Sequence, residues 1–291
     1  MDITFLEIAA RGIVPPALVA AAFLVAAWKP WRRSGPGGGP RTAWGPPLAV
    51  GLGYAVGHVA ADGWPPLALQ VGVKPGLFYV AVAAAFVGLH EAARRPVWWS
   101  RVLVAVGLPV YLLDFMRQHY WSGREAWLWT LGLGGALFVG WSGLERLARR
   151  QPGPALSLCW MLAATLTSVA LFLSGTATLA QLAGVLATVL GVAAVIGWRR
   201  PELSLAPGGT TSLALVFTGL LWAGHFASEL TGPATLLLAV APFAPALLHL
   251  PGIPDLRGWK NLALRMLFVA VPAGLAVALE FADRPPSNPY Y

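Results

Sequence analysis

The chain is poor in charge, nearly without cysteine and nearly without lysine. Of its 291 residues, 11% are Asp, Glu, Lys or Arg, against 57% hydrophobic, and the mean hydropathy is +0.66. A soluble domain carries roughly a quarter charged residues and cannot bury so much apolar surface. The composition excludes a water-soluble globule and assigns the chain to a bilayer. The single cysteine, Cys159, sits in an apolar run. An intrachain disulfide needs a second cysteine and a thiolate metal cluster needs several, so Cys159 reads as packing.

Arginine outnumbers lysine 17 to 3, and Ala, Gly and Pro are abundant. That bias points to a GC-rich bacterial genome. The +8 net charge and pI near 10.2 do not describe a nucleic-acid surface, because the arginines fall in short clusters between apolar runs and not along one polar face. No phosphate-binding glycine loop, HExxH, CxxC or haem-attachment pattern is present, so no motif names a cofactor.

What the chain does have is long apolar runs. A span needs about 20 mainly apolar residues, and that criterion gives about ten. They run approximately over 8–28, 45–62, 76–92, 98–116, 126–144, 155–173, 177–197, 210–229, 233–250 and 262–281. The chain starts with Asp2 and Glu7 and no basic region, then runs into "WKPWRR", which predicts a first span and no cleaved signal peptide. With the N-terminus outside, the loops near Lys29, Arg94, Arg146, Arg199 and Arg257 become cytoplasmic and hold 15 of the 20 basic residues. This predicts a multi-pass protein of the bacterial inner membrane with both termini extracytoplasmic. Most tryptophans fall at predicted interfaces, but Trp222 lies inside a span, where its indole N–H needs a partner.

An internal repeat is visible at an offset of 167: Trp31, Arg32 and Arg33 fall on Trp198, Arg199 and Arg200, while Gly57 and His58 fall on Gly224 and His225. Asp62 likewise meets Glu229, and "DF" at Asp114 corresponds to "EF" at Glu280. The expected organisation is one integral membrane domain over 1–291, with repeat A at 8–116, linker helices at 126–173 and repeat B at 177–283. Both copies would run in the same direction, related by an axis along the membrane normal.

The repeat isolates a candidate polar site. His58 with Asp62, and His225 with Glu229, are i, i+4 pairs that share a helix face. With Asp114 and Glu280 they fall in the outer leaflet, where an ionised group usually faces a bundle interior or a wet cavity. Converging imidazoles and carboxylates would relay protons or bind a divalent cation. The bland alternative leaves the acids at the water interface, each satisfying its own histidine.

Other polar groups read more plainly. His90, Glu91 and His249 lie beside arginines at cytoplasmic ends, where solvated pairing is the default. Gln181, among small residues, is a candidate pore-lining group. "GWSG" at 140–143 looks like the GxSG around a rhomboid protease serine, but Ser142 falls at the opposite end of the bundle from His58 and His225, which opposes a catalytic dyad.

The expectation is an all-α, polytopic helix bundle acting as a small-solute or ion permease, with no catalytic residues. The alternatives are a non-catalytic structural subunit of a larger membrane complex and a membrane-embedded metal-dependent enzyme. The partners expected are the lipid bilayer, a small solute or cation and other membrane proteins, but no nucleic acid.

Overall fold

Proline and glycine punctuate the chain, and in a computed structural model the helix boundaries follow them. The structure describes residues 5–28, 43–67, 72–93, 98–150, 153–206, 208–249 and 258–283. Within them every regular element is helical. The α-helices are α1 (Phe5–Trp28), α2 (Gly45–Asp62), α3 (Val73–Ala93), α4 (Trp98–Leu112), α5 (Asp114–His119) and α6 (Gly123–Arg150). After them come α7 (Pro154–Leu173), α8 (Ala177–Arg199), α9 (Gly209–Ala227), α10 (Gly232–Val240), a 3-10 segment (Ala241–His249) and α11 (Trp259–Ala282). Pro46 and Pro47, Pro154 and Pro233 stand in the first turns of α2, α7 and α10, where a missing N–H costs nothing.

Among the described residues, seven helices are long and apolar enough to cross a membrane: α1, α3, α6, α7, α8, α9 and α11. The remaining expected spans are shorter or more polar for local reasons. Four glycines, two prolines, His58 and Asp62 dilute α2. The run over 98–116 breaks at Leu113, one turn beyond Pro109, into α4 and the short α5. The run over 233–250 is α-helical only to Val240 and continues as a 3-10 helix through Pro242 and Pro245. Neither proline has an N–H to donate, so the α ladder cannot continue there.

The most enclosed helix is α9. In its apolar window 78% of residues are buried, against 17% for α11 and 22% for α1. It packs against α3, α2, α6 and α10, while α8 packs against α7, α1 and α2, and α11 against α7 and α10. The expected repeats correspond to α1–α4 and α8–α11, and their neighbours differ. α1 lies closely along α2, whereas the main partner of α8 is α7; α3 packs on α9, whereas its counterpart α10 has no comparable contact with α2. The first "WRR" triplet, at 31–33, lies outside the described residues.

The crossing of α3 and α9 depends on one close backbone approach. A Cβ on Gly88 of α3 would lie 2.5 Å from the Gly208 carbonyl oxygen, and a Cβ on Gly208, which has φ +89°, would lie 2.2 Å from the Gly88 carbonyl oxygen. Only glycine at both positions lets the end of α3 lie on the start of α9. Ser212 then donates to the carbonyls of Pro47 (3.2 Å) and Ala84 (3.0 Å), joining α9 to both α2 and α3.

Candidate functional site

One turn beyond Gly88, α3 presents Glu91, which is 3% exposed. Its carboxylate accepts two bonds from Arg101 of α4, Nε to Oε1 at 2.6 Å and Nη2 to Oε2 at 3.0 Å. The same guanidinium donates to Glu145 of α6, which also accepts from Arg149. Thr211 of α9 donates to Glu91 and accepts the indole N–H of Trp141 at 3.2 Å. The Arg101 guanidinium carbon sits 5.0 Å from the centroid of the Trp141 ring, a cation–π distance. Four helices thus meet in a cluster of two arginines and two glutamates whose formal charges cancel. Arg149 reaches outward and is half exposed; Glu91, Arg101 and Glu145 are buried. Charges at this depth persist only when paired and hydrogen-bonded.

Trp141 has a second role. It also lines a partly open cavity of about 340 Å³ between α6, α7, α9, α10 and the 3-10 segment. The walls combine aromatic rings with aliphatic and small residues, and the rings brace one another outside and inside the space. Trp160 meets Phe217 and Phe243 edge to face, with centroids 5.1 and 5.5 Å apart, and Phe226 meets Trp129 and Trp121 at 5.7 and 5.5 Å. On α6 the lining runs from Trp129 to Trp141, a rise of about 18 Å at 1.5 Å per residue. The space is therefore a slot along the helix axis. Lining positions on α9, from Ala214 through Phe217, Thr218, Leu221 and Trp222 to His225 and Phe226, recur with the helical period on one face.

The polar groups on this slot are few, and one of them, the Trp160 indole N–H, is buried with no hydrogen-bond partner among the described residues. Thr235 donates back to the Thr231 carbonyl at 2.9 Å. His225 places Nδ1 3.0 Å from the Leu230 carbonyl oxygen. A carbonyl can only accept, so Nδ1 carries the hydrogen, and in neutral imidazole the lone pair then resides on Nε2. Trp222 is 6% exposed, and among the described residues its indole N–H makes no hydrogen bond.

The six residues singled out from sequence occupy separate surroundings. His58 is buried and places Nε2 3.1 Å from the Lys74 carbonyl oxygen, with its ring against Phe78. Asp62 and Glu229 are exposed. Asp114 accepts from Gln118 at 2.6 Å within α5. Glu280 is buried and accepts from the Thr231 backbone N–H (2.9 Å) and hydroxyl (2.7 Å), capping the start of α10. Although α2 packs on α9, each imidazole bonds a carbonyl in the segment after its own helix. Among the described residues no hydrogen bond or ion pair joins the two histidine–acid pairs, and no group of three or more His, Cys, Asp or Glu is placed to hold a metal ion. Of the six, only His225 lines the aromatic slot. Gln181 lines a different space, an open groove between α1, α7 and α8. The His249 side chain lies outside the described residues.

Arg101, Glu145, Thr211 and Trp141 did not stand out in the sequence as a site. A signal existed: Trp141, Glu145 and Arg149 are spaced i, i+4, i+8 and form one stripe of α6. Comparison with protein families, with curated proteins and with solved structures finds no match to this chain.

Proposed function

We propose that the protein is a multi-pass membrane helix bundle that binds a small, largely apolar solute drawn from the bilayer into the slot between α6, α9 and α10. The observation that carries this reading is the slot itself, a partly open, apolar volume of about 340 Å³ rich in aromatic rings, whose Trp141 also lies against a buried ionic cluster. Its chemistry favours such a solute over an ion. A cation entering it would shed its hydration shell among indole and phenyl rings with no carboxylate to replace the lost water. The paired acids expected to carry charge, Asp62 and Glu229, lie on the outside.

Movement of the solute between leaflets is the finer form of the proposal. The slot extends along α6 from Trp129 to Trp141, and the Glu91–Arg101–Glu145 cluster closes its far end. The ten membrane segments, the duplicated four-helix unit and the inner-membrane placement with both termini outside belong to the same proposal. The arginine bias of one set of loops and the matched Gly-His pairs support them.

The test is binding to purified protein in nanodiscs. Tritiated naphthalene, a rigid probe that fits the volume, is expected to bind in excess of its partition into empty discs. Thr218→Phe, which fills the middle of the slot, is expected to abolish the excess while leaving the protein folded by circular dichroism. No excess binding to the wild-type protein overturns the proposal.

A further inference from the structure

Two adjacent turns of α9 place an unused donor and an unused acceptor on the same slot. Trp222 and His225 stand three residues apart on one helix face, and both line the cavity. The Trp222 indole N–H has no partner among the described residues although the residue is more than nine-tenths buried. It is not among the buried polar atoms that lack a partner, so the N–H itself keeps some accessible surface from which it can donate. The His225 ring is held by its Nδ1 bond to Leu230, which leaves Nε2 as a lone-pair acceptor. The Cε1 atom next to that nitrogen lies 3.8 Å from where a Cβ on Gly232 would stand, and Gly232 also lines the slot. At this point the absence of a side chain leaves the imidazole edge open.

We infer that the slot selects an alcohol or phenol: an apolar ring or chain whose single hydroxyl accepts from the Trp222 N–H and donates to His225 Nε2. A hydroxyl is the smallest group that does both. A ketone or ether satisfies only the indole, and an ammonium satisfies only the imidazole. A carboxylate would bring an uncompensated charge among aromatic rings. The surrounding indoles and phenyls supply the apolar contact, and the hydroxyl fixes which end of the solute lies towards His225. This inference rests on the proposed binding of an apolar solute, and the experiment separates the two.

The probes are naphthalene and 2-naphthol, which share a shape and differ by one hydroxyl. Each is titrated by equilibrium dialysis into protein-containing nanodiscs, with empty discs of the same lipid subtracted. 2-Naphthol is expected to bind about tenfold more tightly than naphthalene, the effect of one or two neutral hydrogen bonds. Trp222→Phe keeps a ring but removes the N–H. His225→Asn keeps a donor near the Nδ1 position for the Leu230 carbonyl but has no acceptor at the Nε2 position. Each is expected to lower the ratio of 2-naphthol to naphthalene affinity about three- to tenfold, whatever its effect on naphthalene itself. If both probes bind wild type equally, or if both variants keep the full wild-type preference for 2-naphthol, the hydroxyl inference is overturned and the slot remains a binder of apolar solutes. If neither probe binds, the proposed solute binding itself fails and takes the inference with it.

Discussion

Arg101 holds Glu91 through two nearly parallel N–H···O bonds, 2.6 and 3.0 Å long, while its other face lies over the Trp141 ring. The pair joins the last turn of α3 to the first turn of α4, across a connection whose middle residues lie outside those described. Removing one partner leaves a buried charge unanswered.

Arg101→Ala should destabilise the protein by about 3–5 kcal/mol, because two buried carboxylates lose their shared cation. Arg101→Lys should recover only part of this, since an ammonium cannot make the fork-shaped contact. Adding Glu91→Gln to Arg101→Ala should recover stability relative to the single variant. Denaturant titration of the detergent-solubilised protein reads all three, and a double variant less stable than Arg101→Ala would refute the arrangement.

Gly88→Val should be worse tolerated than any other substitution in α3 outside Glu91. Its Cβ would press on the Gly208 carbonyl and on Pro47, and overpacking of this kind costs about 1–3 kcal/mol or more. Because α3 would have to move off α9, the Thr211–Glu91 bond should break too. Yield of monodisperse protein on size exclusion, compared with Gly107→Val, where a Cβ meets nothing within 4 Å, is the measurement.

The helical class and its span-sized elements were legible because each depends on a local run of apolar residues. The ionic cluster was not, because its partners are distant in sequence: Arg101 and Glu145 are 44 residues apart, and Glu91 and Thr211 are 120. Glu91 stands near Arg94 and Arg95 in sequence, which suggested solvated pairing. Which helix packs on α3 decides instead that it is buried against Arg101. Conversely, the spacing of His58 with Asp62 and of His225 with Glu229 was real, but helix rotation and the local carbonyls of Lys74 and Leu230 determine what each imidazole touches. Trp222 was the reverse case. Its position inside an apolar run already marked an indole in need of a partner, and the structure shows the cavity beside it.

Glu280→Ala should cost about 1–2 kcal/mol, since it uncaps α10 and leaves Thr231 with two donors to satisfy. Glu280→Gln, which retains an acceptor oxygen, should cost less. Thermal unfolding of the two variants side by side gives the order, and equal loss would mean that the carboxylate acts by charge alone.

The predicted orientation can be read with thiol chemistry, because Cys159 is the sole cysteine and is buried. In intact cells a membrane-impermeant maleimide should leave the wild-type protein unlabelled. With Cys159→Ala as background, Ser122→Cys should label from outside and Arg150→Cys only after the membrane is opened. Both positions are exposed, at the two ends of α6. The reverse pattern would invert the topology.

Trp141 is both the floor of the slot and the platform beneath Arg101. One indole therefore belongs to two equilibria, and thermodynamic linkage makes their coupling mutual. Any occupant that shifts this ring changes the grip of the guanidinium on its carboxylates. Any substitution that loosens the guanidinium changes occupancy by the same factor.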